Sequence, residues 1–194
     1  MINKLSAKLA DSFFGKQNIT EEERELYVYG FFMVLSHLMY LILAFIFGVL
    51  LGLFFESIIF YVSFQFIRRT AGGYHAKTET RCEILSTLLI FSSIVLIKLL
   101  IAWKFQIILL CLTFISALII FFLCPLDTLE KPLSAKEFNF FRKKTRISLI
   151  FMFLFIIVFY SLEQKLLFIP CCVSILAESL LIVAGKIEKV KNSH

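Results

Sequence analysis

Arg68-Arg69-Thr70-Ala71-Gly72-Gly73-Tyr74-His75-Ala76-Lys77-Thr78-Glu79-Thr80-Arg81-Cys82-Glu83 separates two apolar runs, Leu50–Ile67 and Ile84–Ala102. Each run is close to the roughly 20 residues with which a helix crosses the hydrocarbon core of a bilayer. A charged stretch between such runs belongs to a chain that leaves the membrane and re-enters it. The pattern repeats on both sides. Leu26–Phe47 precedes and turns near Gly48–Gly52, while Phe105–Cys124 follows after Trp103 and Lys104, which suit the membrane interface. A third pair, Ile147–Leu162 and Leu166–Ala184, is separated by Glu163, Gln164 and Lys165. Glu56 interrupts the second run, and the fifth is short enough to need local thinning of the bilayer.

Composition supports the same reading. Of 194 residues, 60% are hydrophobic, and the mean hydropathy is +0.90. A soluble domain is about 45–50% apolar, so a soluble protein is excluded. The expected fold is all-α, a polytopic membrane protein with six transmembrane helices arranged as three hairpins. Its parts are a helix at the membrane interface (1–25), a first hairpin (26–67), the charged loop (68–83), a second hairpin (84–124), a basic loop (125–146), a third hairpin (147–185) and a tail (186–194).

Charge sets the orientation. Six spans place 1–25, 68–83, 125–146 and the tail on one side, with 4, 4, 6 and 3 of the 20 Lys and Arg residues. Only Lys98, Lys104 and Lys165 fall on the other side. The positive-inside bias then puts both termini and the charged loop in the cytoplasm. Five spans would split the basic regions. At the N-terminus no cleavable signal peptide is evident. Ile2, Leu5, Leu9 and Phe13 share one helical face, with Lys4, Lys8 and Asp11 off it, which suits a helix lying in the interface. Thr20 and Glu23 form a capping-box pattern at the start of the first span.

Five cysteines give no disulfide framework. Cys111, Cys124, Cys171 and Cys172 lie in or beside apolar segments, where a thiol behaves as a small hydrophobe. No CxxC pattern occurs and only three histidines are present, so neither a metal site nor a cofactor is expected. Cys82 differs, because it stands among charges. Gly72-Gly73 breaks any helix before it. Thr80 followed by Glu83 reads as a second capping box, with Cys82 at the second helical position. There the helix dipole, with Arg81, Lys77, Arg68 and Arg69 nearby, favours a thiolate. Free first-turn amides could hold an oxyanion.

His75 can supply the base, subject to one geometric condition. On a single straight helix, seven residues would separate it from Cys82 by about 10.5 Å along the axis. A dyad needs hydrogen-bond reach, so His75 must precede the helix that carries Cys82 in its first turn. Plainer readings stay open here: Cys82 could be a lipidation site or inert, and His75 could be a solvated side chain. His37 reads as a polar packing contact within the first span. Glu178, a costly acid within the last span, would pair across helices or face a cavity.

Arg-Arg-x-x-Gly-Gly-x-His-Ala, with Cys seven residues after the His, resembles the accessory gene regulator B (AgrB) family. Pro125-Leu126-Asp127 and Lys131-Pro132-Leu133 resemble that family's second loop. The resemblance implies a membrane cysteine endopeptidase that processes the precursor of a cyclic quorum-sensing pheromone in a bacterial cell membrane. It makes Cys82 the nucleophile and His75 its general base, with Arg68 and Gly73 in supporting roles. The substrate it implies is a peptide with an amphipathic helix and an acidic tail, which Arg142, Lys143, Lys144 and Arg146 would suit. A nucleic-acid partner is not expected. A homodimer could form through small and hydroxyl residues such as Ser92, Ser93 and Ser116. The rival readings are a peptide transporter without proteolytic activity and an acyltransferase carrying a lipid on Cys82.

Overall fold

A computed structural model describes residues 2–14, 20–74, 78–102, 106–126 and 133–192. Among them are seven helices: α1 (Ile2–Phe14), α2 (Glu21–Leu51), α3 (Phe54–Ala71), α4 (Glu79–Ala102), α5 (Gln106–Leu123), α6 (Ala135–Ser161) and α7 (Lys165–Asn192). The chain divides into two compact units within α2, residues 1–43 and 44–194.

In the first unit the expected capping box forms. Thr20 donates its amide to Glu23 at 2.9 Å, and the Glu23 amide donates to the Thr20 hydroxyl at 3.3 Å. Arg24 donates to both oxygens of Asp11 at 2.8 and 3.2 Å, tying α1 to the start of α2. Those bonds hold the Asp11 carboxyl below its ordinary range. The contact therefore persists until acid carries the pH down through that lowered value. Leu5 and Phe13 of the proposed interfacial face are exposed.

In the second unit α7 is the common neighbour of α3, α4, α5 and α6. Phe168, Ile169, Cys172, Val173, Ile175 and Ile182 on it are buried. Many outward-facing residues elsewhere are large and apolar, among them Leu99, Ile107, Phe122, Phe151 and Ile157, as suits contact with hydrocarbon.

Five of the described helices, α2 and α4 to α7, are long and apolar enough to cross a membrane. The expected second span, α3, is not among them, because its 18 residues include Glu56, Arg68 and Arg69. The other large departure concerns the fifth span. It was expected from Ile147, after a basic loop, whereas α6 starts at Ala135 and runs 27 residues. A complete capping box between Ser134 and Glu137 begins it. Arg142 and Lys144 then lie over the Phe138 and Phe140 rings at 5.6 and 4.5 Å from the centroids. Aromatic faces thus accommodate the cations along a helix. The added turns carry Lys136, Arg142, Lys143, Lys144 and Arg146, so the uncharged apolar part of α6 still begins at Ile147. Trp103, Lys104 and Phe105 lie outside the described residues.

Candidate active site

The end of α3 enters the charged stretch through two glycines. Gly72 caps the helix with φ 77°, donating its amide to the Arg68 carbonyl at 3.2 Å, and Gly73 follows with φ 131°. These backbone conformations are open to glycine and costly for other residues. Here the chain meets the second loop. Gly72 and Leu126 form an isolated parallel bridge, and the Leu126 amide donates to the Ala71 carbonyl at 2.9 Å. The two motifs read from the sequence are therefore in contact at Gly72 and Leu126. Asp127, Lys131 and Pro132 lie outside the described residues.

The next residues dock on α7. The Tyr74 amide donates to the Leu181 carbonyl at 3.0 Å. One turn on, Gly185 makes room for this approach, since a Cβ there would stand 2.9 Å from the Tyr74 nitrogen and 3.2 Å from the Gly73 carbonyl carbon. Arg68 completes the clamp. Its Nη1 donates to the Gly72 carbonyl at 3.0 Å and its Nη2 to the Tyr74 carbonyl at 2.7 Å. Nη1 also lies 3.7 Å from Oε2 of Glu178, a fully buried residue of α7. The Arg68 guanidinium is thus committed to backbone carbonyls and a carboxylate. Arg69 and Arg81 are exposed.

His75 and Lys77 lie outside the described residues. Cys82 is half-buried and stands fourth in α4, not second as expected. The reason is the cap. Thr78, not Thr80, accepts the Arg81 amide on its hydroxyl at 3.4 Å, which starts the helix two residues earlier. The Cys82 amide is already bonded to the Thr78 carbonyl at 3.1 Å, so it is not an oxyanion donor. Glu79 and Thr80 supply the remaining first-turn amides. Thr78→Ala should weaken the helix start by about 1 kcal/mol, and Thr80→Ala should not. Amide hydrogen exchange at Arg81 and Cys82 would show the difference.

The other thiols are placed differently. Cys124, Cys171 and Cys172 are buried, and Cys171 lies 3.4 Å from the Ser63 hydroxyl. Cys111 is exposed on the apolar helix α5. Groups of three or more metal-binding side chains are absent among the described residues. The four basic residues expected to meet a substrate tail lie on α6 and differ in exposure. Arg142 and Arg146 are half-buried, with Arg146 over the Phe121 ring at 4.2 Å. Lys143 and Lys144 are exposed.

Residues 2–182 match the family model described as Accessory gene regulator B. Among curated proteins, an AgrB-like protein of Clostridium perfringens (strain SM101 / Type A) is 26% identical over 176 residues, covering 86% of this chain and 82% of that protein. AgrB-like protein 2 of Clostridium perfringens (strain 13 / Type A) is 24% identical over 161 residues, with 80% and 75% covered. Protein FsrB of Enterococcus faecalis (strain ATCC 47077 / OG1RF) is 28% identical over 185 residues, with 89% and 72% covered. No solved structure matches.

Proposed function

We propose, from the premise that this chain belongs to the accessory gene regulator B family, that it is a membrane cysteine endopeptidase with Cys82 as nucleophile and His75 as general base. Membership carries a processing role in quorum sensing, and the particular chemistry is our reading. The observation that carries it is the clamp on Gly72–Tyr74. Arg68, Leu126 and Leu181 fix the backbone of the segment that leads directly into His75. Cys82 waits half-buried seven residues beyond that histidine, near the start of α4. Preorganising one partner of a dyad by so many bonds suits catalysis better than a solvated loop.

In this reading His75 accepts the Cys82 thiol proton, and the thiolate attacks a backbone carbonyl of a peptide pheromone precursor. The tetrahedral intermediate collapses with loss of the C–N bond. The proton passes from His75 to the departing amine, which leaves with the C-terminal fragment. The retained peptide stays as a thioester on Cys82. Attack by an internal precursor thiolate exchanges one thioester for another, giving a cyclic thiolactone and freeing Cys82. No cofactor enters these steps.

The same reading completes the membrane topology. With α3 counted as a sixth span, both termini and the segments around 68–83 and 125–146 lie in the cytoplasm, and the active site opens there. Its Glu56 is buried within the protein, and Arg68 and Arg69 close the helix at the interfacial end. Counting five spans divides the basic segments between sides, against the bias of cytoplasmic loops.

The test is co-incubation of the reconstituted protein with a cognate precursor, resolved by intact mass spectrometry. A released C-terminal fragment and a hydroxylamine-sensitive peptide adduct on Cys82 are expected. Export of uncut precursor without either species would give the function to the transport reading, and a lipid adduct would give it to the acyltransferase.

A further inference from the structure

We infer that Glu178 is a positioning residue for this peptidase: its carboxylate holds the Arg68 guanidinium against the Gly72 and Tyr74 carbonyls and so fixes the backbone that leads into His75. The inference rests on the proposed Cys82–His75 chemistry and extends it by one residue, 103 positions along the chain from His75.

Glu178 is fully buried on α7, a helix surrounded by four others. An ionisable side chain so placed is expensive and calls for a charge partner. Oε2 lies 3.7 Å from Nη1 of Arg68, close enough for an ion pair and too far for a hydrogen bond. Neither carboxylate oxygen has a hydrogen-bond partner among the described residues. The Arg68 guanidinium is thus the charge partner the structure gives it.

What Arg68 does with its hydrogens gives that charge a purpose. A guanidinium presents five donors in a rigid fork. Here the fork spans the carbonyls of Gly72 and Tyr74, two positions apart. A Cβ on Gly73 would run into Nη1 of Arg68 and come within 3.6 Å of Oε1 of Glu178. The ion pair thus lies directly on the Gly73 backbone. Leu181, three residues after Glu178, accepts the Tyr74 amide. One face of α7 therefore holds the same three residues twice, once by charge through Arg68 and once by a backbone bond. A pair serving only to join α3 to α7 would have no need of the carbonyl fork.

The experiment compares wild type, Glu178→Gln, Arg68→Lys, Arg68→Gln and the Arg68→Gln/Glu178→Gln double variant in lipid vesicles. Arg68→Lys keeps a positive partner for Glu178 and loses the fork, so it separates the bundle's ion pair from the loop's clamp. The readouts are the acylation rate of Cys82 at saturating precursor, the KM for precursor, and hydrogen exchange at the Tyr74 amide. Expected in Glu178→Gln and Arg68→Lys are an acylation rate at least tenfold lower, a KM within about twofold of wild type, and Tyr74 exchange at least tenfold faster. The double variant should be no slower than Arg68→Gln alone, because both residues act through one contact. Folded Arg68→Lys or Glu178→Gln with wild-type exchange at Tyr74 would overturn the inference. So would multiplied losses in the double variant, or a change confined to KM. Should wild type itself form no adduct with cognate precursor, the peptidase reading falls, and the exchange of Tyr74 still decides whether Glu178 holds this backbone.

Discussion

His75→Ala should slow cleavage of the precursor by about 10²–10⁴-fold, the usual worth of a positioned general base, whereas Cys82→Ala should form no peptide adduct at all. The two losses differ in kind. Without His75 the thiol is still present, and hydroxide can take its proton, so the residual rate should climb as the pH is raised. Without Cys82 there is no sulfur to carry the acyl group, and alkali restores nothing. A time course of the hydroxylamine-sensitive adduct at several pH values separates the cases. If His75→Ala acylated Cys82 at the wild-type rate at neutral pH, the base would have to be another residue, and the clamp on Gly72–Tyr74 would lose its catalytic meaning.

Gly72→Ala is expected to be nearly as damaging, although Gly72 touches no substrate in the proposed mechanism. Its φ of 77° and ψ of −144° lie in a region essentially reserved for glycine, at a cost of about 1–3 kcal/mol for any other residue. A Cβ would also collide with the Leu126 carbonyl, and that atom belongs to backbone and cannot swing aside. The collision pushes the two loops apart, breaking the Leu126-to-Ala71 bond and loosening the Arg68 fork. Loss of most acylation activity should accompany faster hydrogen exchange at Leu126. Gly52→Ala provides the control. It has a similar φ of 73°, but a Cβ there meets nothing within 4 Å. Its penalty should be confined to the backbone, about 1–2 kcal/mol, with cleavage retained. Equal behaviour of the two variants would show that the contact with Leu126 does not matter.

Much of this was legible in the sequence for identifiable reasons. Apolar blocks gave the helices because a bilayer demands length and uniform hydropathy, and α5 at Gln106–Leu123 falls within one residue of its expected ends. The Thr20–Glu23 box is local chemistry and forms as read. The start of α4 was missed by two residues because Thr78 and Thr80 are both competent caps, and only the backbone's path into the helix selects Thr78. The start of α6 was missed for a different reason. A run of Lys and Arg reads as a solvated loop, yet Ser134-x-x-Glu137 was available as a start signal, and the phenylalanines spaced among the cations give them faces to lie on. The clamp was beyond reach. Arg68 and Gly73 could be marked as supporting, but nothing local says that Arg68 turns back to Tyr74, or that Leu126, Leu181 and Glu178 gather around the same three residues. Contacts across 50 to 110 positions leave no periodic trace in a single sequence.

The central place of α7 also imposes an order of events on biosynthesis. Arg68 leaves the ribosome 110 residues ahead of Glu178, which at typical elongation speeds means roughly 5–20 s. During that interval α4, α5 and α6 are completed in turn, and with α3 they lack the partner against which all four pack. The nascent protein must pass this time as loosely associated helices, with Arg68 awaiting its counter-charge and buried hydroxyls such as Ser63 and Thr113 awaiting their surroundings. A chain stalled before Lys165 therefore lacks the helix against which the other four pack, and the proposed peptidase activity should arise only once translation has passed α7.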